Sequence, residues 1–120
     1  MKTVLIIDDE NYINRLVQFN LIEDGYDVIT ASEGREGLEL IKKKHPDLVI
    51  LDIAMPEFDG FAVLEKMQED EKLREIPVLV LTAKVMEKVE SRARSLGALG
   101  FMTKPFSPAD LAVRIRELIG

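Results

Sequence analysis

Three unbroken apolar runs punctuate the chain: Val4-Leu5-Ile6-Ile7, Leu48-Val49-Ile50-Leu51 and Val78-Leu79-Val80-Leu81. None alternates with polar residues, which is how strands read when helices cover both faces of a parallel sheet. Two weaker runs, Val28-Ile29-Thr30-Ala31 and Leu99 to Thr103, predict strands at the sheet edges. Helix-length stretches separate the five. From Asn11 to Asp24, Ile13, Leu16, Val17 and Leu21 share one helical face, and Gly25 supplies a left-handed stop. Asn20 falls inside that apolar stripe, with nothing in the sequence to satisfy it. Ser32 is the candidate cap of a second helix that ends near Lys44, because Pro46 forbids continuation. Asp59-Gly60 opens a third, and Val89, Ala93 and Leu96 line a fourth that closes at Gly97. Ser107-Pro108-Ala109-Asp110 starts a fifth, with a capping serine, proline at the first helical position and an acid at the third. Leu111, Ile115 and Leu118 form its inner face.

Strand and helix thus alternate five times with no linker, repeat or low-complexity tract. The pattern predicts one domain over residues 1–120, an α/β fold with a doubly wound five-stranded parallel sheet and helices on both faces. In such sheets chemistry gathers beyond the carboxyl ends of the strands, near the point where strand order reverses. Asp8-Asp9 follows the first strand, Asp52 the third, Thr82-Ala83 the fourth and Lys104-Pro105 the fifth. Converging, these ends would place three carboxylates, a hydroxyl and an ammonium in one cleft. Crowded carboxylates repel unless a pKa rises or a cation binds. Hard oxygen donors with one or two direct carboxylates suit Mg²⁺. A metal, a lysine and a threonine together can receive a phosphoryl group, and one carboxylate can then act as nucleophile. Taken singly, each residue could cap a helix or shape a turn. Capping does not explain why the polar residues after four separate strands all serve one kind of site.

Composition narrows the setting. Apolar residues make up 47% and charged residues 32%, which excludes a disordered chain. The 16 basic and 22 acidic side chains give 16 − 22 = −6, so this domain is not expected to bind nucleic acid or an anionic membrane through net charge. With no cysteine there is no disulfide scaffold, thiolate metal site or cysteine nucleophile. The apolar stretch after Met1-Lys2-Thr3 is too short for a signal peptide or a membrane span, and a cytoplasmic location is expected. His45, the single histidine, stands just before Pro46 and reads as a solvated helix terminus.

The ordered set of Ile7-Asp8-Asp9-Glu10, Leu51-Asp52-Ile53-Ala54-Met55-Pro56 with Asp59-Gly60, Leu81-Thr82-Ala83, Gly97-Ala98, Phe101 and Lys104-Pro105-Phe106 resembles the receiver domains of two-component response regulators. The resemblance spans the chain and implies the flavodoxin-like strand order 2-1-3-4-5, that of the chemotaxis receivers. It makes Asp52 the phosphoacceptor, with Asp9, Asp52 and the Ala54 carbonyl binding Mg²⁺ directly and Asp8 helping through water. Lys104, the Thr82 hydroxyl and the Ala54 and Ala83 amides would contact the phosphoryl group, and Phe101 would be the aromatic switch that turns inward as Thr82 moves. It also implies a cis Lys104-Pro105 bond, a sensor histidine kinase or phosphotransfer protein as donor, and slow self-dephosphorylation. Tyr12, Phe19 and Ile22, off the inner stripe of the first helix, are candidate kinase contacts. Many DNA-binding members carry an acidic pair before the aromatic switch that joins two subunits across the face of helix 4, strand 5 and helix 5. Here Ala98-Leu99-Gly100 replaces it, although Arg114 and Arg116 fit the helix 5 pattern, so a phosphorylation-dependent homodimer through this face is expected to lack that network. The resemblance further places Ala54 and Lys84, two residues beyond Asp52 and Thr82, beside the path of an attacking water, which implies a long phosphate lifetime.

Other readings fit less well. A flavodoxin would need a first loop that cradles phosphate, and Asp8-Asp9-Glu10 would repel it. A phosphatase of the haloacid dehalogenase type would want Asp-x-Asp after the first strand. A phosphorylation-independent scaffold would usually have lost an acid, the threonine or the lysine.

Overall fold

The computed structural model describes residues 1–83 and 86–120. The elements are β1 (Thr3–Ile7), α1 (Asn11–Glu23), β2 (Asp27–Ala31), α2 (Gly34–Lys44), β3 (Leu48–Leu51), α3 (Gly60–Gln68), a 3-10 turn (Leu73–Glu75), β4 (Val78–Thr82), α4 (Glu87–Ser95), β5 (Gly100–Thr103) and α5 (Pro108–Ile119). All strand pairs are parallel, in the order β2-β1-β3-β4-β5. The expected fold class and strand order are both found.

The unbroken apolar runs are explained by two cores. Successive strand residues point to opposite faces. Leu5, Ile7, Val49, Leu51, Val78 and Val80 pack with α2, α3 and Ala93 of α4 on one side. Val4, Ile6, Leu48, Ile50, Leu79 and Leu81 pack with Ile13, Val17 and Leu21 of α1 and Leu111 and Ile115 of α5 on the other. Every position of β3 and β4, and every position of β1 after Thr3, is therefore inside, and no polar alternation can survive.

Element boundaries follow the sequence with two exceptions, one at a helix and one at a strand. The Asp59 carboxylate accepts from the Ala62 N–H at 2.9 Å, and the Ser107 hydroxyl accepts from the Asp110 N–H, as capping residues should. Gly25 and Gly97 end α1 and α4 with φ of 92° and 101°, in the left-handed region that favours glycine. Ser32, however, is not the cap of α2. Glu33 holds that position without a side-chain bond, and the Glu36 carboxylate reaches back to accept from the Ser32 N–H at 3.0 Å. An acid one turn inside the helix thus serves the donor that lies just before it. Leu99 precedes β5 and stays 60% exposed. Leu16, Val89, Leu96 and Leu118 sit at core margins, half-buried. Asn20 is half-buried too, and its Nδ2 has no hydrogen-bond partner among the described residues. No helix among those residues is long and apolar enough to cross a membrane.

Candidate functional site

Strand order reverses between β1 and β3, and the first residues beyond these two strands are Asp8 and Asp52. The Asp8 N–H donates to the Ala31 carbonyl and the Asp52 N–H to the Ile7 carbonyl, so each acid continues the sheet by one hydrogen bond. Both are buried, at 1% and 4% exposure. Lys104 enters from the end of β5, its N–H donating to the Thr82 carbonyl, and its peptide bond to Pro105 is cis. The Lys104 ammonium lies 2.6 Å from the Asp8 carboxylate, 3.0 Å from Glu10 and 3.4 Å from Asp52. Two backbone amides fix the acids further. The Glu10 N–H donates to Asp8 Oδ1 and the Ala54 N–H to Asp52 Oδ1, each two residues along in a tight turn.

Burial pushes the Asp8 carboxyl up to about 6, with Asp52 adding to the rise while hydrogen bonds from Lys104 and the Glu10 amide oppose it. Burial works against the Lys104 charge, but hydrogen bonds to Asp8 and Glu10 and the Asp52 charge outweigh it and hold the ammonium above its ordinary range. The site is thus short of positive charge even with its lysine in place.

Carboxylate oxygens of Asp8, Glu10 and Asp52 lie within 4.8 Å of one another. Asp9, expected among the acids, is exposed, and Glu10 lies with Asp8 and Asp52 in the cluster. The signal for Glu10 was its place in the Asp8-Asp9-Glu10 run, but only the turn after β1 shows which side chain folds back. Thr82 is fully buried at the end of β4, Ala83 and Ala54 are exposed, and Phe101 lies inward at 9% exposure, beside Val80 on β4. Lys84 lies outside the described residues. Gly60 lets the loop carrying Ala54 close on the site: a Cβ there would stand 2.5 Å from the Asp52 carbonyl oxygen and 2.7 Å from Ile53 Cα. The donor set fits Mg²⁺, since it offers hard oxygens with two buried carboxylates and a third acid around a single cation, Lys104.

A parallel sheet of this order, with clustered acids and a lysine at its reversal point, defines a receiver-type fold and site. Residues 4–116 match the response regulator receiver domain, and the chain belongs to that family. It is 41% identical over 118 residues to the alkaline phosphatase synthesis transcriptional regulatory protein PhoP of Bacillus subtilis, covering 98% of this chain and 48% of that protein. It is 40% identical to the DNA-binding dual master transcriptional regulator RpaA of Synechocystis, over 99% of this chain and 49% of that one. The chain spans about half the length of the curated relatives it matches. Among solved structures, chemotaxis protein CheY4 of Vibrio cholerae superposes with a TM-score of 0.93 at 31% identity, covering 98% of both chains. A CheY-like receiver domain protein from Methanospirillum hungatei gives 0.91 at 30%, over 98% of this chain and 92% of that one. The protein is a receiver domain of two-component response regulators, and neither the phosphatase nor the scaffold reading is favoured.

Proposed function

We propose that Asp52 accepts a phosphoryl group from the phosphohistidine of a sensor kinase or phosphotransfer protein, in a reaction that requires Mg²⁺. The observation that carries this reading is the Lys104 ammonium set between Asp8 and Asp52 at the sheet's reversal point. An Asp52 carboxylate oxygen attacks phosphorus, the P–N bond breaks, and the histidine nitrogen leaves with the electron pair. Lys104 follows the phosphoryl oxygens as they arrive, while the Thr82 hydroxyl and the Ala54 and Ala83 amides supply short donors. Asp9, Asp52 and the Ala54 carbonyl would hold Mg²⁺ directly, with Asp8 helping through water. The metal, when bound, supplies the positive charge that crowded carboxylates and phosphoryl oxygens need. Thr82 drawn toward the phosphate alters the space beside Phe101, and the face of α4, β5 and α5 carries the change to a downstream partner or a second copy. The domain is a switch that catalyses its own phosphorylation and slow dephosphorylation, in the cytoplasm.

Acetyl phosphate with Mg²⁺ should add one phosphoryl group, located by mass spectrometry at Asp52. Asp52→Asn should abolish it, and undiminished labelling of that variant or full labelling in chelator would overturn the reading.

A further inference from the structure

Asn14 occupies the inner face of α1, three and seven residues before the core residues Val17 and Leu21, and is only 6% exposed. Its Nδ2 donates to the Asp8 carbonyl at 2.9 Å and to the Ala31 carbonyl at 3.2 Å. Carbonyls only accept, so the amide must turn its NH2 toward the strand ends and its oxygen away. Asn14 Oδ1 is buried and has no hydrogen-bond partner among the described residues. An orphaned acceptor costs stability that an apolar side chain of the same volume would not. The amide thus satisfies two strand-end carbonyls at the cost of its own oxygen, so what it adds is position more than stability.

The two bonds impose a geometry. The Ala31 carbonyl takes both the Asp8 N–H and the Asn14 amide, and that amide also holds the Asp8 carbonyl. Asp8 is gripped on both sides of its Cα one residue beyond the point where the β1 ladder stops. The peptide so fixed is the Asp8-Asp9 peptide, which sets where both side chains depart.

We infer that Asn14 is a positioning residue for the acidic site, fixing the Asp8-Asp9 peptide so that these carboxylates are preorganised for a divalent cation. The inference rests on the proposed role of the site. Residues that orient metal ligands characteristically affect affinity without touching the metal.

The test is Asn14→Leu in the full chain, with Mg²⁺ alone as the probe. The thermal unfolding temperature should fall by only a few degrees, because leucine removes the orphaned Asn14 Oδ1 while leaving the Asp8 carbonyl without its amide partner. The Mg²⁺ dissociation constant, from NMR titration of amide resonances, should rise about tenfold. In metal-free protein the Asp8 and Asp9 amide resonances should shift or broaden, while that of Val63 in α3 stays in place. With acetyl phosphate, half-saturating Mg²⁺ should rise while the rate at saturation is largely kept. An unchanged dissociation constant in a folded variant would overturn the inference. So would a loss of stability with no change in metal affinity. Should the leucine variant fail to fold, Asn14→Ala, which leaves room for water, is held to the same two criteria. A wild-type protein that binds no Mg²⁺ would sink the reading of the site itself, and this inference with it.

Discussion

The Lys104 ammonium stands 3.4 Å from the Asp52 carboxylate, although the two residues follow strands at the edge and the centre of the sheet. It is also within 2.6 Å of Asp8, so one cation serves two buried acids. Replacing it with a neutral side chain leaves those acids facing each other, and breaking a buried ion pair typically costs about 3 kcal/mol.

Lys104→Met should therefore lose roughly 3 kcal/mol at pH 7 in metal-free buffer, measured by urea unfolding. The loss should shrink as pH falls. Burial lifts the Asp8 carboxyl to about 6 in the folded protein against an ordinary 3.8, so between these values the folded state binds the proton more tightly. Lowering pH through that window favours folding, and Mg²⁺ should also restore stability. A loss independent of pH and metal would show that packing of the lysine stem dominates.

The same carboxyl gives Mg²⁺ binding a pH dependence. Below about 6 the metal must displace a proton from Asp8, so affinity should fall by up to tenfold per pH unit on acidification and level off above neutrality. Asp8→Asn should flatten that profile and leave the metal-free protein more stable near neutral pH. A titration series across pH 5 to 8, on the order of three units, checks both outcomes.

Gly60 offers a steric test. Ordinarily alanine stabilises a helix relative to glycine, but here a Cβ would press on the Asp52 carbonyl and Ile53 Cα, both backbone atoms. Gly60→Ala should cost about 1 to 3 kcal/mol and slow acetyl phosphate labelling, because relief must come from the loop that carries Ala54. Wild-type stability in calorimetry would show that α3 can shift instead.

Tyr12, Phe19 and Ile22 are 70%, 64% and 54% exposed on α1, with no packing role to defend. Alanine at Tyr12 and Ile22 should slow phosphoryl transfer from the cognate kinase about tenfold, the effect of removing one interface anchor, and leave acetyl phosphate labelling intact. Equal loss with both donors would place the damage in the fold.

Phe101 is already inward, so phosphorylation should tighten its surroundings rather than swing the ring from solvent. Beryllofluoride, a phosphoryl mimic, should shift amide resonances across α4, β5 and α5, and Thr82→Ala should weaken that response several-fold. Shifts confined to the loop after Asp52 would disconnect Thr82 from this face.

The uninterrupted runs of β1, β3 and β4 made the sheet legible, because burial on both faces leaves no other pattern. Asp52, Thr82 and Lys104 were legible for a related reason: each is the first or last polar residue at a strand end, and parallel topology sends all such ends to one edge. Finer detail turned on backbone turns that hydropathy does not encode. Which neighbour of Asp8 folds into the cluster, Asp9 or Glu10, depends on one tight turn. Asn14 went unnoticed because its partners are the backbone carbonyls of Asp8 and Ala31, groups every sequence possesses. Ser32 misled because α2 starts one residue later than a cap at Ser32 would place it, with Glu33 before Gly34, and the Glu36 carboxylate takes the N–H of Ser32 itself.

Glu10 and Lys104 meet across a sequence separation of 94 residues, nearly the whole chain. Contacts of that reach form only when all the intervening strands have found their places. A partly synthesised chain still on the ribosome, or a molecule whose last strand has come loose, holds Asp52 without the lysine that must stand beside it. Assembly of the acidic cluster around its lysine is thereby tied to completion of the sheet, since neither half of the domain carries all of its members.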